Sequence, residues 1–252
     1  MTFEEYIANP TGVGTAVISY RKMYEDLYHG KWNKIMVREN GKVDYTLYKS
    51  KKSYFVHIKI PSETVDKFYY DVVIKLTPKD KNDRNLNKAE ARFFSNDPSF
   101  NYTFAHAFKE HDMHVKELEK RMAKLAIKKE AVEKNPQNTI GYVKTLYFAY
   151  IVMKEKGLFH VVKFEGEAKP FNEMILLSKV KDTDEMLIER EKAGAKQAKA
   201  NAKEKATNKV TVTNKDIINP EVKNNKFVRT ARVIGGVKTT KTVKTVKKSK
   251  GR

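Results

Sequence analysis

Residues 54–77, YFVHIKIPSETVDKFYYDVVIKLT, contain two neighbouring runs that predict β-strands and decide the class of the fold. In residues 54–60, positions 54, 56, 58 and 60 are expected on one face of a sheet, since successive residues of a strand point to opposite faces. Residues 68–77 are rich in β-branched and aromatic residues, which strands favour. Pro61 and Pro78 follow the two runs, and a proline cannot donate to a strand ladder.

Segments on either side extend these two strands into a meander. Residues 34–38 and 43–48 flank Asn40-Gly41, a dipeptide that favours a two-residue hairpin because both residues tolerate positive φ. Residues 89–94 are predicted as a further strand. Five short antiparallel strands indicate a small curled sheet or a partly open barrel.

Helices are predicted on both sides of this meander. Apolar residues at helical spacing indicate helices at 15–29, ended by Gly30, and at 105–132. A wide apolar face indicates a third helix at 139–156, and residues 158–164 are predicted as one more strand. The fold class is therefore α+β, an antiparallel meander or small partly open barrel packed with two to three helices.

A charged helix and a basic tail are predicted to follow the core. The helix begins at Asp182, and its sequence EREKAGAKQAKANAKEKA has no apolar stripe, so it is expected to be solvated or to fold on a partner. The tail ends in VKTTKTVKTVKKSKGR, a low-complexity tract for which disorder is expected in isolation. The predicted organisation is an N-terminal arm at 1–14, a core domain at 15–175, the charged helix at 182–206 and the basic tail at 207–252.

Positive charge is concentrated in this tail. The whole chain has 51 Lys and Arg against 31 Asp and Glu, a net charge of +20, and residues 217–252 alone hold eleven basic residues against one acidic residue. A concentrated basic terminus favours a negatively charged partner. The side chains predicted to contact nucleic acid or a protein partner are Arg229, Arg232, Lys238, Lys241, Lys244, Lys247, Lys248, Lys250 and Arg252.

Two functional interpretations of the tail stay open beside a merely solubilising role. Lysine at every third position in a Thr and Val background gives a flexible polycation, which can bind the phosphates of DNA or RNA without reading their sequence. The same Thr and Val content suits an extended arm that adds a strand to the sheet of a neighbouring subunit. The two roles can coexist.

The sequence holds no motif that predicts catalysis. The absence of cysteine excludes disulfides, thiolate metal sites and cysteine nucleophiles, and the glycine-rich residues 11–15 lack the third glycine and the lysine of a phosphate loop. His106, His111 and His114 could offer a metal two ligands from one helix, but a structural zinc site needs about four. We therefore predict a non-enzymatic chain with no cofactor, metal or small-molecule substrate.

The apolar residues are expected in the core or at a subunit interface rather than in a membrane. The most apolar window, residues 142–153, is interrupted by Lys144 and is shorter than the roughly 20 apolar residues that cross a bilayer. The N-terminus carries Glu4 and Glu5 and lacks the basic start and apolar run of a secretory signal. We expect a soluble, intracellular chain without a membrane partner.

Two segments resemble structural proteins of tailed bacteriophage particles: residues 93–108, FFSNDPSFNYTFAHAF, and residues 139–153, TIGYVKTLYFAYIVM. The N-terminal ANPTGVGTAV is similar in character to the same proteins, so that the resemblance covers roughly residues 1–175. It implies a small α+β virion subunit at the head, neck or tail, assembled in the host cytoplasm, and it transfers no catalytic residues. Its terminal arms would bind other virion subunits, further copies of this chain or packaged DNA. The alternative is a cytoplasmic accessory protein that binds nucleic acid without sequence specificity.

Overall fold

A five-stranded sheet lies at the centre of residues 1–200. The structure, a computed structural model, describes residues 1–8, 17–122, 133–136, 138–215, 227–234 and 237–244. The strands are β1 (Tyr45–Lys49), β2 (Tyr54–Pro61), β3 (Tyr69–Thr77), β4 (Glu90–Ser95) and β5 (Lys169–Pro170). Their spatial order is β4-β3-β2-β1-β5, in which the first four are antiparallel and β5 runs parallel to β1.

The α+β class and the antiparallel meander are confirmed, with β1 to β4 within two residues of the strands predicted at 43–48, 54–60, 68–77 and 89–94. The barrel alternative is wrong. Closing a barrel would require the two edge strands to pair, and β4 and β5 lie at opposite edges of an open sheet. The fifth strand is also parallel, which makes the sheet mixed.

Seven α-helices lie within the described residues, more than the two to three core helices and one charged helix expected. They are α1 (Phe3–Ala8), α2 (Val17–Arg38), α3 (Ala105–Glu110), α4 (Lys144–Glu155), α5 (Val161–Glu167), α6 (Glu173–Lys179) and α7 (Thr183–Lys215). A π-helical turn spans Phe100–Phe104, and 3₁₀ turns span Leu86–Lys88 and Lys116–Arg121.

The strand predicted at 34–38 is wrong, because α2 continues through Gly30. Trp32 and Ile35 lie three residues apart on this helix, and both are buried. The Trp32 ring packs 5.0 Å from the ring of Phe148, measured between centroids. Burial of this helix face outweighs the cost of roughly 1 kcal/mol for a glycine inside a helix.

Asn40 and Gly41 end this helix instead of forming a hairpin. Their φ angles are 53° and 69°, and the Gly41 N–H donates to the carbonyl of Met36 at 2.8 Å. This bond back across the last turn is typical of the Schellman C-cap. Hairpin turns and this cap both need positive φ, so the dipeptide alone does not distinguish them.

The continuous helix predicted at 105–132 is interrupted after α3. Asp112 has a φ of 54°, and the chain then runs extended beside β4. There the Phe93 N–H donates to the carbonyl of Met113 at 2.8 Å, and the Val115 N–H donates to the carbonyl of Phe93 at 3.1 Å. Met113 and Val115 are both buried in this extended segment. The apolar residues here are therefore buried by an extended chain and not by one face of a helix.

The strand predicted at 158–164 is also wrong, because the chain enters α5 at Val161. His160, just before this helix, makes an isolated antiparallel bridge with Asn85. Residues 123–132 of the predicted helix and residues 9–16 of the predicted arm and helix start lie outside the described residues.

Protein covers both faces of the sheet. On one face α4 packs against β2, β3 and β4, and the rings of Phe3, Tyr6 and Phe108 lie 4.9, 5.0 and 5.8 Å from that of Phe93. On the other face Phe55 stacks on Phe171 with 4.0 Å between ring centroids. Strands β2 and β3 are consequently buried along most of their length.

Residues 3–8 of the predicted arm form α1, and one side of this helix belongs to the core. Phe3 and Tyr6 are both 1% exposed. The Tyr6 hydroxyl donates to the carbonyl of Gly141 at 2.9 Å and accepts the N–H of Val143 at 3.1 Å. Burial raises the pKa of Tyr6 above its ordinary value, so the phenol stays protonated and able to donate.

The first turns of α7 pack against the sheet. The Asp182 side chain accepts the N–H of Glu185 at 2.8 Å and so caps the helix at the residue where the sequence predicts its start. Met186 is 1% exposed and lies in an apolar cluster with Phe68, unlike the solvated helix expected from the sequence. Residues 198–205, further along the helix, are all exposed.

The chain divides into two compact units, Met1–Ala200 and Asn201–Arg252, and the boundary falls inside α7. The second unit contains the end of α7 and an antiparallel pair of strands, β6 (Phe227–Ile234) and β7 (Val237–Lys244).

A pair of tyrosine variants tests the role of α1 in the core. We expect Tyr6→Phe to lower the free energy of unfolding by about 1–3 kcal/mol, because it leaves the Gly141 carbonyl and the Val143 N–H buried without a partner. Tyr48 is the matched control: its buried hydroxyl has no hydrogen-bond partner, so Tyr48→Phe should be neutral or stabilising. Urea unfolding followed by circular dichroism measures both, and equal effects would contradict the assignment.

Candidate nucleic-acid interface

Five of the predicted contact residues lie on the paired strands of the second unit. Arg229 and Arg232 belong to β6, and Lys238, Lys241 and Lys244 belong to β7. In register, Arg232 is opposite Thr239, Lys241 is opposite Thr230 and Lys244 is opposite Phe227. The pairing therefore brings these five positions into one small sheet. The other four predicted residues lie outside the described residues: Lys247, Lys248, Lys250 and Arg252.

The lysines of β7 recur at every third position, whereas the period of a strand is two. Strand residues alternate between two faces, so a spacing of three assigns Lys238 and Lys244 to one face and Lys241 to the other. Both faces of the strand pair therefore include basic positions. Parts of residues 207–252 are described as the end of α7 and the strands β6 and β7. Whether this segment is disordered in isolation stays a prediction.

The two units carry very different densities of charge. The second unit, residues 201–252, has fifteen Lys and Arg against three Asp and Glu. Its net charge of +12 is more than half of the +20 of the whole chain, in about a fifth of the length. Such a density attracts polyanions over distances comparable to the Debye length, roughly 10 Å at 0.1 M salt.

The first unit carries a basic concave surface, which we call the lysine groove. It is lined by Lys49, Lys51, Lys52, Lys79 and Lys81, together with Tyr54 and neighbouring small residues, and encloses about 480 Å³. The end of β1 supplies Lys49, the turn to β2 supplies Lys51 and Lys52, and the segment after β3 supplies the other two.

The lysine groove does not stand out in the sequence, although a signal for it exists. The chain reads KSKK at 49–52 and KDK at 79–81, two short runs separated by nearly thirty residues. In a meander the end of β1, the start of β2 and the end of β3 lie at the same end of the sheet. Combining the charge runs with the predicted meander would have brought the two runs together.

A buried polar network joins the sheet to the start of α7. The Asp71 carboxylate lies 2.8 Å from His57 Nε2 and accepts the side-chain amide of Asn96 at 3.1 Å and the backbone N–H of Lys181 at 3.2 Å. His57 and Asp71 are 3% and 5% exposed. A buried carboxylate needs such partners because burying it alone costs several kcal/mol. We assign the network a structural role, since it fixes the chain just before the Asp182 cap.

The three histidines singled out by the sequence do not come together. His106 is half-buried on α3, His111 is exposed, and His114 is buried beside β4. Within the part of the chain that the structure describes, no group of three or more His, Cys, Asp or Glu side chains is arranged to hold a metal ion.

His114 has an unusual environment for a buried histidine. Neither ring nitrogen has a hydrogen-bond partner, and the nearest carboxylate oxygen, from Glu119, is 3.8 Å from Nε2. Burial lowers the pKa of His114, although the charges of Glu119 and Asp112 oppose that shift. Lys109 and Lys116, which also face the ring, act in the same direction as burial.

Comparison with protein-family models, with curated proteins and with solved structures finds no match to this chain. Among the described helices, none combines the length and the hydrophobicity that crossing a membrane requires.

The environment of His114 predicts a pH dependence of stability. His114 is protonated less readily in the folded protein than in the unfolded chain. The free energy of unfolding should therefore fall as the pH drops below the ordinary histidine pKa of about 6.5. We expect His114→Leu to unfold no more easily than the parent at pH 7.5, because it removes two unpaired ring nitrogens, and to lose less stability on acidification.

Urea midpoints at about pH 7.5, 6.5 and 5.5 measure this effect. His111→Gln, which replaces an exposed histidine three residues away, is the control and should keep the decline of the parent. Identical pH profiles for His114→Leu and the parent would show that another group causes the loss.

Proposed function

We propose that this chain is a non-enzymatic structural and assembly protein whose basic C-terminal unit contacts the phosphates of a nucleic acid and neighbouring subunits. The observation that carries the proposal is the division of the chain into a well-packed unit of 200 residues and a second unit of 52 residues with a net charge of +12. More than half of the net positive charge thus belongs to a unit of its own rather than to the folded core.

The connection between the units supports this role. Helix α7 starts on the sheet, held by the Asp182 cap and by Met186, and continues without a break across the boundary at Ala200. Its 33 residues correspond to a rod about 50 Å long. A continuous helix is a stiffer connection than a flexible linker of Gly and Ser.

The chemistry of the second unit suits binding that does not depend on nucleotide sequence. Lysine is a point charge that pairs with a phosphate without a fixed geometry, and lysines outnumber arginines twelve to three in residues 201–252. Binding to phosphates releases counterions and is therefore steeply dependent on salt.

A second observation favours contact between subunits. The β6–β7 sheet has two strands, and a two-stranded sheet is marginally stable in water by itself. Each of the two strands is paired on one side, so a strand from another subunit can extend the sheet. Together with the resemblance of residues 93–108 and 139–153 to tailed-phage structural proteins, this leads us to propose a bacteriophage particle as the setting.

Removal of residues 237–252 tests the nucleic-acid role. The deletion removes seven basic residues, and we expect weaker binding to duplex DNA together with a shallower salt dependence, by roughly 0.9 in the log–log slope for each phosphate that is no longer neutralised. Fluorescence anisotropy between about 50 and 200 mM salt measures both quantities. A permuted tail of the same composition should bind as the parent does, and unchanged binding after the deletion would reject the role of the tail.

A proline variant separates contact between subunits from contact with nucleic acid. Thr240→Pro with Thr242→Pro removes two backbone donors from β7 and leaves every charge in place. We expect it to reduce self-association, measured by light scattering and sedimentation, while affinity for DNA changes less than twofold. Thr240→Val with Thr242→Val is the matched control and should associate as the parent does. A parent chain that stays monomeric at all concentrations and never enters a particle would refute the assembly role.

A further inference from the structure

The lysine groove concentrates positive charge on the folded unit itself. Its five lysines are all exposed and come from two short segments, Lys49 to Lys52 and Lys79 to Lys81. The surface is concave and encloses about 480 Å³, a volume typical of sites that bind small groups such as phosphates.

These lysines differ from many others on the same unit in how their charge is compensated. Lys75 pairs with Glu117, and Lys31 and Lys144 both pair with Glu63. In the part of the chain that the structure describes, no carboxylate oxygen lies within 4.0 Å of the ammonium group of a groove lysine, although the charge of Lys79 contributes to lowering the pKa of Glu5. Asp80 lies between Lys79 and Lys81, but its carboxylate accepts the backbone N–H of Asn82 at 2.9 Å.

The backbone that carries the groove is held by hydrogen bonds inside the fold. The Ser50 hydroxyl oxygen accepts the N–H groups of Lys52 and Ser53, at 3.3 and 2.9 Å. The Ser53 hydroxyl lies 2.9 Å from that of Thr77, which joins the turn to the end of β3. The two lysine segments are therefore kept at a fixed separation, and preorganised charges bind a ligand without the entropy cost of ordering the backbone.

Clustered like charges do not help folding. Unpaired lysines close together repel one another and lower the stability of the compact state. A bound anion removes that repulsion, so the cluster is favourable only in a complex. Repulsion among the groove lysines thus lowers the stability of the free protein, as is common at binding sites.

The composition of the groove identifies the ligand class. Among the described residues that line it are five lysines, and none is an arginine, asparagine or glutamine of the kind that recognises base edges. Tyr54 packs edge-on against Phe164, with ring centroids 4.9 Å apart, and Lys49 lies 5.7 Å from its ring, so this aromatic is engaged within the protein rather than presented to a base. The contacts that remain are charge contacts to phosphates.

We propose that the lysine groove is a second nucleic-acid site, one that holds the phosphate backbone of a DNA or RNA strand against the folded unit without reading its sequence. The inference deepens the proposed function, on whose ligand class it rests, but it does not use the basic C-terminal unit. A strand bound at both sites would be held by two points of the same chain, which increases its effective affinity.

Paired lysine variants of the full-length chain test the groove. Lys51→Gln with Lys52→Gln removes two groove charges, whereas Lys42→Gln with Lys59→Gln removes two exposed charges from the opposite end of the sheet. Binding of mixed-sequence oligonucleotides of about 20 nucleotides, single-stranded and duplex, should fall roughly tenfold for the groove pair and less than twofold for the control pair. The salt slope should drop by roughly 1.4 on single strands and 1.8 on duplex for the groove pair alone.

Lysine acetylation read by mass spectrometry locates the contact directly. Bound oligonucleotide should protect the five groove lysines and leave Lys42 and Lys59 reactive. Thermal unfolding controls for folding, and the groove pair should be as stable as the parent or slightly more so, since a repulsion is removed.

The outcomes separate this inference from the proposed function. Protection confined to the C-terminal unit, with groove and control variants binding alike, overturns the groove and leaves the tail-based function standing. If deletion of residues 237–252 leaves the affinity unchanged and the groove lysines still protected from acetylation, the groove is supported and the role of the tail is overturned. Absence of binding to either oligonucleotide overturns both. If poly-glutamate binds as tightly and is weakened equally by the groove pair, the phosphate assignment is wrong.

Discussion

The pairing of β2 with β3 places both strands between two layers of protein, and this burial constrains much of the first unit. One face of the pair packs against α4 and the aromatic rings around Phe93, and the other is closed by residues such as Phe171. A polar side chain on either strand must then find its partners inside the fold. Asp71 does so through His57, Asn96 and the backbone of Lys181, and the last of these contacts determines where the chain enters α7.

The same constraint explains where charge collects. The middle of the sheet is closed to solvent, so the lysines of the groove cluster at the end of the sheet where β1 turns into β2 and β3 ends, while the densest positive charge belongs to the second unit. Elsewhere on the first unit, lysines such as Lys75 and Lys144 have carboxylate partners. The chain thus separates lysines that support the fold from lysines that remain available to an anion.

The central strands could be predicted from the sequence because their signals are local. Residues 54–77 alternate or are rich in β-branched residues, and prolines mark their ends. Asn40-Gly41 shows the limit of such signals, because a hairpin and a helix C-cap require the same backbone angles. Only the burial of Trp32 and Ile35, a tertiary contact, decides between them. The break at Asp112 has a similar cause, since the bonds to Phe93 that replace the helix join residues about twenty positions apart.

The candidate sites divide in the same way. The basic residues of the C-terminal unit are visible in the composition, whereas the lysine groove needs the register of three strands to bring two ordinary runs of lysine together. The buried environment of His114 is equally hidden from the sequence, because it depends on the extended segment beside β4.

Helix α7 has a mechanical consequence. Because the helix is continuous from Thr183 to Lys215, a force applied along it is passed to its first turns through the backbone hydrogen bonds. The helix is attached to the first unit by the Asp182 cap, by Met186 in its apolar cluster and by Gln197, whose side chain is hydrogen-bonded to Asp66. Gly194, which lies between these anchors with open space beside its α-carbon, is the residue of this stretch that favours a helix least.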